Sequence, residues 1–334
     1  MEKRNRRWLK IGFFVLLISI VIFRYRSYLV EGFREIAMIP MAQKVGIFLA
    51  STGYMLVEGK IIVRLAKVFR MNIKWKTGVR CAYYCNFART VTVGGGAGAA
   101  EIYYLNNEGM EPAHAFVVSL IQYLCQKVAV TFLGAMSLLF FFQNVDTSIG
   151  KYRTYLACGI GLAVVLVALI LSVSLSKKIA GILFGFLDWI GERKRNWKCR
   201  TETWKKQVIF GQDGVKAILQ DKGGLAEIFI LSLIKYFCWF SIPYLLYKER
   251  GVLLLFSSIS MMAIATVMAS VIPVPGGYGA LEFMQMMLFE PIIGKGRTVS
   301  MVILYRVATT FIPTIIGGVA AFFNKRKNHG EYPK

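Results

Sequence analysis

Long apolar runs alternate with short polar segments along the whole chain. The apolar runs fall at about 8–23, 43–63, 79–93, 115–143, 154–175, 225–247, 252–272 and 298–323. Because roughly 20 residues of helix span the hydrocarbon layer, most of these runs are long enough to be transmembrane helices. The run at 79–93 is the least typical, since Arg80, Asn86 and Arg89 interrupt it. The pattern predicts an all-α, multi-pass membrane protein with about seven to eight transmembrane helices.

Basic residues are concentrated between the apolar runs, at 1–7, 60–80, 177–222 and 325–327. Positively charged loops stay in the cytoplasm, so we expect these segments and both termini on the cytoplasmic side of the cell membrane. We interpret the first apolar run as a retained signal anchor, because no small-residue cleavage site follows it. The segment 177–222 alternates tryptophans with basic residues, which is typical of amphipathic helices at the cytoplasmic interface.

In two regions, 79–111 and 273–294, the number of membrane crossings conflicts with the cytoplasmic placement of the basic segments. The clear spans at 115–143 and 154–175 already return the chain to the cytoplasm, so 79–111 should enter and leave on one side. Between 222 and 325, either the 273–294 region adds an odd crossing or one basic segment is on the wrong side. Both regions are rich in glycine, and we expect each to contain a broken or re-entrant segment.

A sequence repeat relates the two glycine-rich regions. GGAGAAE at 95–101 and GGYGALE at 276–282 share the pattern G-G-x-G-x-x-E, and KVAVTFL at 127–133 matches RVATTFI at 306–312. One short glycine motif is weak evidence, but two copies, each followed by a matching run, are much stronger. We therefore predict one membrane domain, 1–334, with related halves at about 43–175 and 225–323, joined by the linker 177–222.

The composition of the repeated segments predicts breaks in membrane helices. The proposed break residues are Gly95, Gly96, Gly98, Pro273, Pro275, Gly276, Gly277 and Gly279. Glycine permits sharp turns, and proline enforces a non-helical backbone. Broken helices leave backbone N–H and C=O groups unpaired, which a bilayer tolerates only inside protein or along a water-filled cavity. Broken helices in repeated halves line the substrate sites of secondary transporters.

The repeat also carries charge into the membrane region. Glu101 and Glu282 occupy equivalent positions, as do Lys127 and Arg306. Ionisable residues in a membrane cost roughly 2.5–3.5 kcal/mol on insertion scales and are usually functional. We interpret these four residues, with Arg89 before the first break, as candidates for lining a cavity and binding a headgroup. The alternative is that each glutamate pairs with a basic residue or caps a half-helix for structure alone.

Two other charged residues receive a simpler interpretation. Glu58, in GYMLVEGK, is placed near a helix end and is interpreted as interfacial. Lys235 interrupts an apolar run and is a lesser site candidate, because its ammonium group could reach the membrane interface along its flexible stem.

Composition narrows the classes of function. The chain has 334 residues, of which 56% are hydrophobic, and a formal net charge of +23. The positive charge is concentrated in predicted cytoplasmic loops, which would face anionic lipid. The sequence contains no recognisable nucleic-acid-binding module. The six cysteines and two histidines lack zinc-ligand spacing, and no P-loop, Ser-His-Asp or Cys-His pattern occurs. The sequence therefore indicates no nucleic acid, metal, cofactor or catalytic residue, and any transport would be passive, ion-coupled or driven by a partner.

These motifs resemble a known family. PVPGGYGALE, followed by a helix carrying Tyr305 and Arg306, resembles the signature of the lysylphosphatidylglycerol synthase transmembrane region. TVGGGAGAAEIYYLNNEGMEPAHAF resembles its first-half motif, with Val91 and Val93 where the family often has proline. The resemblance covers roughly 8–323 and implies a bacterial membrane protein that handles phospholipid. In multiple-peptide-resistance proteins such a flippase-like domain moves aminoacylated lipid outward, and a separate soluble domain transfers lysine from its tRNA to phosphatidylglycerol.

The resemblance implies a lipid flippase for phospholipid, either aminoacylated phosphatidylglycerol or another polar lipid. Two alternatives stay open. One is a phosphatidylglycerol lysyltransferase, and the other is a non-transporting scaffold for a membrane enzyme such as a lipid-synthesising partner. Neither 177–222 nor the residues after the last helix have the length or pattern of a transferase domain, so we expect no lysyl transfer.

Overall fold

The computed structural model of the protein describes residues 34, 37–92, 95–141, 153–175, 181, 220–247, 253–272, 274 and 277–328. Every regular element in these residues is helical. In chain order the helices are α1 (Met41–Val68), α2 (Trp75–Val91), α3 (Ala97–Asn107), α4 (Pro112–Phe141), α5 (Arg153–Leu175), α6 (Lys222–Phe240), α7 (Ile242–Tyr247), α8 (Leu255–Val271), α9 (Ala280–Ile293), α10 (Lys295–Arg306) and α11 (Ile312–Asn328). A π-helical segment, Val307–Phe311, joins α10 to α11.

Four helical stretches within the described residues are long and apolar enough to cross a membrane. They are Met41–Val68, Pro112–Phe140, Lys222–Tyr247 and Lys295–Ala321. Two shorter apolar helices, Thr154–Leu166 and Leu255–Val271, accompany them. The prediction of an all-α, multi-pass membrane protein is therefore confirmed. The predicted signal anchor and nearly all of the amphipathic linker lie outside the described residues.

The order of helices is similar before and after the linker. A long span (α1, or α6 with α7) is followed by a 17-residue helix (α2 or α8) and then by a break that contains glycine. A short helix (α3 or α9) and a second long span (α4, or α10 with α11) complete each series, and α5 follows the first. Two related halves would produce this order, and that organisation stays a prediction.

Helices of the two series pack against each other crosswise. α1 packs against α6, α2 against α11, and α8 against α4. The contact between α2 and α11 is close, since a Cβ added at Gly317 would overlap the backbone oxygen of Tyr83. Buried side chains form two apolar cores, one around α8 and α9 and one around α1, α2 and the first half of α4. This crosswise packing places both breaks next to the same interior space.

The π segment Val307–Phe311 has a local cause. Pro313 lacks an N–H, and its ring would clash with the carbonyl four residues back in a regular α-helix. The amide of Ile312 bonds instead to the first residue of the segment, five residues back. The carbonyl of Ala308 is left available, and the hydroxyl of Ser51 in α1 donates to it at 2.5 Å. A side chain of another helix therefore satisfies the backbone group that the irregular turn releases.

Candidate functional site

A cavity of about 530 Å³ lies between the two breaks. Its walls come from α1, α2, α3 and α4 of the first series and from α6, α8, α9, the end of α10 and the π segment of the second. Gly98, just after the first break, and Val274 and Gly277, in the second, are among the lining residues. Substrate sites of transporters with broken helices have this location.

Three cationic side chains line the cavity: Arg89 near the end of α2, Lys127 in α4 and Arg306 at the end of α10. No carboxylate is among its lining residues in the described part of the chain. The Nζ atom of Lys127 lies 5.5 Å from the ring centroid of Tyr123, and Cζ of Arg306 lies 5.0 Å from that of Tyr278. An aromatic face at such a distance attracts a cation. The cavity is thus positively charged and partly aromatic, which suits an anionic ligand.

Glu282 orients Arg306 and caps the start of α9. One carboxylate oxygen accepts from Nε of Arg306 at 2.5 Å, and the other accepts from the backbone amide of Gly279 at 2.8 Å. The position near the amino end of α9 also favours a negative charge. The Nη2 atom of Arg306 is buried and has no hydrogen-bond partner among the described residues. Arg306 is therefore fixed by one nitrogen and keeps another donor unused.

Glu101 has a different environment. It is 5% exposed and lines a smaller cavity of about 30 Å³ together with Glu58 and Arg89. The Ser119 hydroxyl of α4 lies near the carboxyl group, whose Oε1 atom has no partner among the described residues. Four residues line both cavities, so the two spaces are neighbours: Tyr54, Asn86, Arg89 and Ala97.

A buried ion pair that sequence reasoning missed joins α1 to α6. The Nζ atom of Lys235 lies 2.6 Å from one carboxylate oxygen of Glu58, and the amides of Gln122 and Gln126 donate to the other oxygen at 2.9 Å each. Lys235 is 0% and Glu58 7% exposed. The interpretations of Glu58 as interfacial and Lys235 as snorkelling are therefore wrong, because α1 continues to Val68 and keeps Glu58 inside the bundle. Two glutamines one helical turn apart in an apolar run were the available signal.

Aromatic rings connect this ion pair to the larger cavity. The rings of Tyr54 and Trp239 stack with centroids 3.4 Å apart and planes 8° apart. The Nζ atom of Lys235 lies 4.9 Å from the centroid of Tyr54 and 5.1 Å from that of Tyr236. All three rings line the larger cavity. The Nε1 atom of Trp239 is buried without a hydrogen-bond partner in the described residues.

A second set of ion pairs, at the start of α6, also holds α1 against α6. Arg64 donates to the carboxylates of Asp221 at 2.5 Å and Glu227 at 2.9 Å. The backbone amide of Gly224 and the Arg64 guanidinium hold the pKa of Asp221 below its usual value. Asp221 therefore caps α6 and ties it to α1 in its ionised form.

The first break, between α2 and α3, is closed by a threonine. The hydroxyl of Thr92 accepts from the amide of Gly96 at 2.7 Å and donates to the carbonyl of Ala88 at 2.7 Å. A Cβ added at Gly96 would overlap this hydroxyl oxygen, so the contact requires glycine. Gly95 lies in the turn, whereas Gly98 lies in the first turn of α3 rather than in the break.

The second break, between α8 and α9, depends on glycine for another reason. Gly277 and Gly279 have φ angles of 67° and 86°, in the left-handed region that other residues rarely adopt. The proposed break residues Pro273, Pro275 and Gly276 lie outside the described residues.

Comparison with known protein families gives one match. Residues 7–317 match the family described as lysylphosphatidylglycerol synthase TM region. The chain belongs to this family. No curated protein sequence matches it at a significant level. Membership agrees with the resemblance of the two glycine motifs. The match takes in both breaks and the first long helix that follows, and it ends within α11.

In this lysylphosphatidylglycerol synthase TM region protein, three of the five candidate headgroup residues meet at one cavity. They are Arg89, Lys127 and Arg306. Glu282 is bonded to one of them, and Glu101 lies in the adjoining smaller cavity. Within the described ranges, no group of three or more His, Cys, Asp or Glu side chains is arranged to hold a metal ion. The binding roles of the five residues stay predictions.

Proposed function

We propose that this protein binds a phospholipid by its headgroup in the larger cavity and moves it between the leaflets of the membrane. The observation that carries the proposal is the meeting of Arg89, Lys127 and Arg306 in a space between two broken helices. Its volume, about 530 Å³, is in the usual range for small-molecule sites.

The charge of the site favours the phosphate as the recognised group. Arginine binds phosphate oxygens through two parallel hydrogen bonds, and lysine acts as a point charge. Arg89 and Lys127 line the cavity and form no ion pair with a described carboxylate, so both cations are left for an acceptor-rich ligand. Arg306, by contrast, is paired with Glu282. A headgroup with net negative charge, such as phosphatidylglycerol, should therefore bind better than a zwitterionic one.

The aromatic wall suits the remainder of the headgroup. The rings of Tyr54, Tyr236 and Trp239 present apolar faces, while Thr266 and Ser270 of α8 provide hydroxyl groups on another side. A glycerol moiety has both carbon and hydroxyl surface, so it can contact both kinds of wall. The acyl chains would stay in the bilayer.

The test is leaflet exchange of fluorescent phosphatidylglycerol and phosphatidylcholine in vesicles containing the purified full-length protein. Wild type should exchange phosphatidylglycerol faster. Lys127→Gln should slow this exchange about tenfold or more, since a hydrogen bond to a charged group is worth about 1.5–3 kcal/mol. Lys67→Gln, which removes an exposed cation of α1 outside the cavity, is the matched control and should leave the rate unchanged.

A second measurement identifies the lipid. Mass spectrometry of co-purified lipid should find anionic phospholipid enriched in wild type relative to the host membrane, and less of it in Arg89→Gln. Equal exchange of both probes, or equal rates for Lys127→Gln and wild type at equal protein incorporation, would contradict the proposed headgroup site.

A further inference from the structure

The Glu101 carboxyl has polar neighbours but no countercharge of its own. The residue is 5% exposed, and its Oε1 atom has no hydrogen-bond partner in the described part of the chain. The cavity that it lines is about 30 Å³ in volume and polar, which is enough for a water molecule. An ionised carboxylate in such a place is strongly unfavourable unless a cation approaches it.

The charged and titratable groups around Glu101 come from four packed elements. α1 contributes Glu58 and Tyr54, which line the same small cavity, and α6 contributes Lys235, whose ammonium is bonded to Glu58 at 2.6 Å. α2 contributes Cys81, Cys85 and Arg89, and α4 contributes the Ser119 hydroxyl. Lys235 already neutralises Glu58. The cation left for Glu101 is therefore Arg89.

Arg89 can contact groups in either of the two cavities. It lines the small cavity with Glu101 and the large cavity with Lys127 and Arg306. Among the described residues, no carboxylate forms an ion pair with it. A phosphate in the large cavity and an ionised Glu101 would therefore compete for the same guanidinium.

We propose that Glu101 is a proton-binding site that is coupled to the headgroup site through Arg89. When a phosphate engages Arg89, Glu101 takes up one proton from water and is a neutral carboxylic acid. When the phosphate leaves, Arg89 turns to Glu101, which releases that proton to water and becomes a carboxylate. One proton is thus bound for each anionic headgroup, and a proton gradient can drive lipid movement. The coupling rests on the proposed function, whereas proton binding by Glu101 does not.

The sign of the pH dependence follows from this competition. Rising pH ionises Glu101, draws Arg89 away from the large cavity and weakens binding of an anion there. The affinity for dihexanoyl-phosphatidylglycerol, a short-chain soluble probe, should therefore fall with rising pH, by up to about tenfold per pH unit for one coupled proton. Titration calorimetry of the full-length protein in detergent micelles measures this affinity.

Two variants separate a proton site from a structural role. Glu101→Gln should bind the probe at all pH values as tightly as wild type does at low pH, because glutamine imitates the neutral acid. Glu282→Gln, the counterpart in the second break, should bind more weakly but keep the pH dependence of wild type. A Glu101→Gln protein with the wild-type pH dependence would overturn the proposal.

An infrared measurement tests proton binding without lipid transport. Wild type with bound probe at neutral pH should show the carbonyl band of a protonated carboxylic acid, and Glu101→Gln should lack it. Absence of a difference between the two spectra would overturn the proposal. If wild type binds no probe at any pH but gains the band when the pH is lowered, and Glu101→Gln does not, the proton site stands and the proposed function fails. If the probe binds wild type without pH dependence, the coupling fails and the proposed function stands.

Discussion

The two G-G-x-G-x-x-E segments have the same pattern and different chemistry. In the second, Glu282 bonds to Arg306 and to the amide that begins its own helix, and both contacts neutralise or use its charge. In the first, Glu101 is buried with one oxygen unpartnered among the described residues, and a hydroxyl from Thr92 takes over the closing of the break. Glu282 therefore holds a cation in an ion pair, whereas Glu101 forms no ion pair among the described residues.

The difference arises from where each helix begins relative to the motif. Glu282 is the third residue of α9, so it can reach back to the first free amide. Glu101 is the fifth residue of α3, and two residues correspond to a rotation of about 200° around a helix. Glu101 therefore projects from the other side of its helix and cannot cap it. Two segments can thus share a sequence motif while their glutamate side chains project from different sides of the helix.

The largest expected effect on stability comes from leaving Glu58, like Glu101, buried without a paired cation. Lys235→Met removes the cation at 2.6 Å from a buried carboxylate, and breaking such a pair costs about 3–5 kcal/mol. The free energy of unfolding at neutral pH, measured by denaturant titration in detergent micelles, should fall by that amount. The double variant Glu58→Gln with Lys235→Met should recover much of the loss, since it leaves no buried charge. A Lys235→Met protein as stable as wild type would show that a lone buried carboxylate is harmless here.

A smaller effect should separate the two motif glutamates. Glu282→Gln removes the charge that holds Arg306 and should lower the free energy of unfolding by about 1–3 kcal/mol. Glu101→Gln replaces an uncompensated buried acid by a neutral group of the same shape, so it should leave stability unchanged or raise it. Thermal unfolding of both variants beside wild type gives the comparison. Equal losses in the two variants would mean that the carboxylates have equivalent roles.

The smallest effect concerns the glycines of the two breaks. Gly279→Ala forces a side chain into left-handed backbone and should cost about 1–2 kcal/mol. Gly95→Ala is the matched variant in the first break, because its added Cβ meets no atom within 4 Å and its φ is not positive. It should change stability by less than about 0.5 kcal/mol. If the two alanines cost the same, the breaks do not differ in backbone strain.

Hydropathy and charge were sufficient to predict the membrane class and the all-helical fold. Several runs of about 20 apolar residues in one chain are typical of transmembrane helices. The predicted run at 79–93 corresponds to α2, although Arg80, Asn86 and Arg89 made it the least typical. Its polar residues are used inside the bundle, where Asn86 donates to Thr314 at 3.3 Å.

The pairing of charges could not be predicted, because it depends on how helices cross. Nothing in the sequence says that Lys235 meets Glu58 across α1 and α6, or that Arg306 lies against Glu282 while Lys127 has no such neighbour among the carboxylates that the structure describes. Equivalent positions suggested equivalent partners, but Lys127 lies about one turn farther along α4 than Arg306 does along α10. Register along the helix axis decides which charges meet.

The π segment divides the last long helix into two α-helical parts, α10 and α11. Arg306 ends the part that is fixed to Glu282, while α11 beyond the π segment packs on α2, which carries Arg89. Sharp bends in helices occur at π-type turns and at prolines, and this segment has both a π turn and Pro313 after it. Rocking of α11 together with α2 would therefore change the distance between Arg89 and Arg306 while the ion pair of Arg306 with Glu282 stays intact. The hydroxyl of Ser51, which donates to the carbonyl of Ala308, ties this π segment to α1.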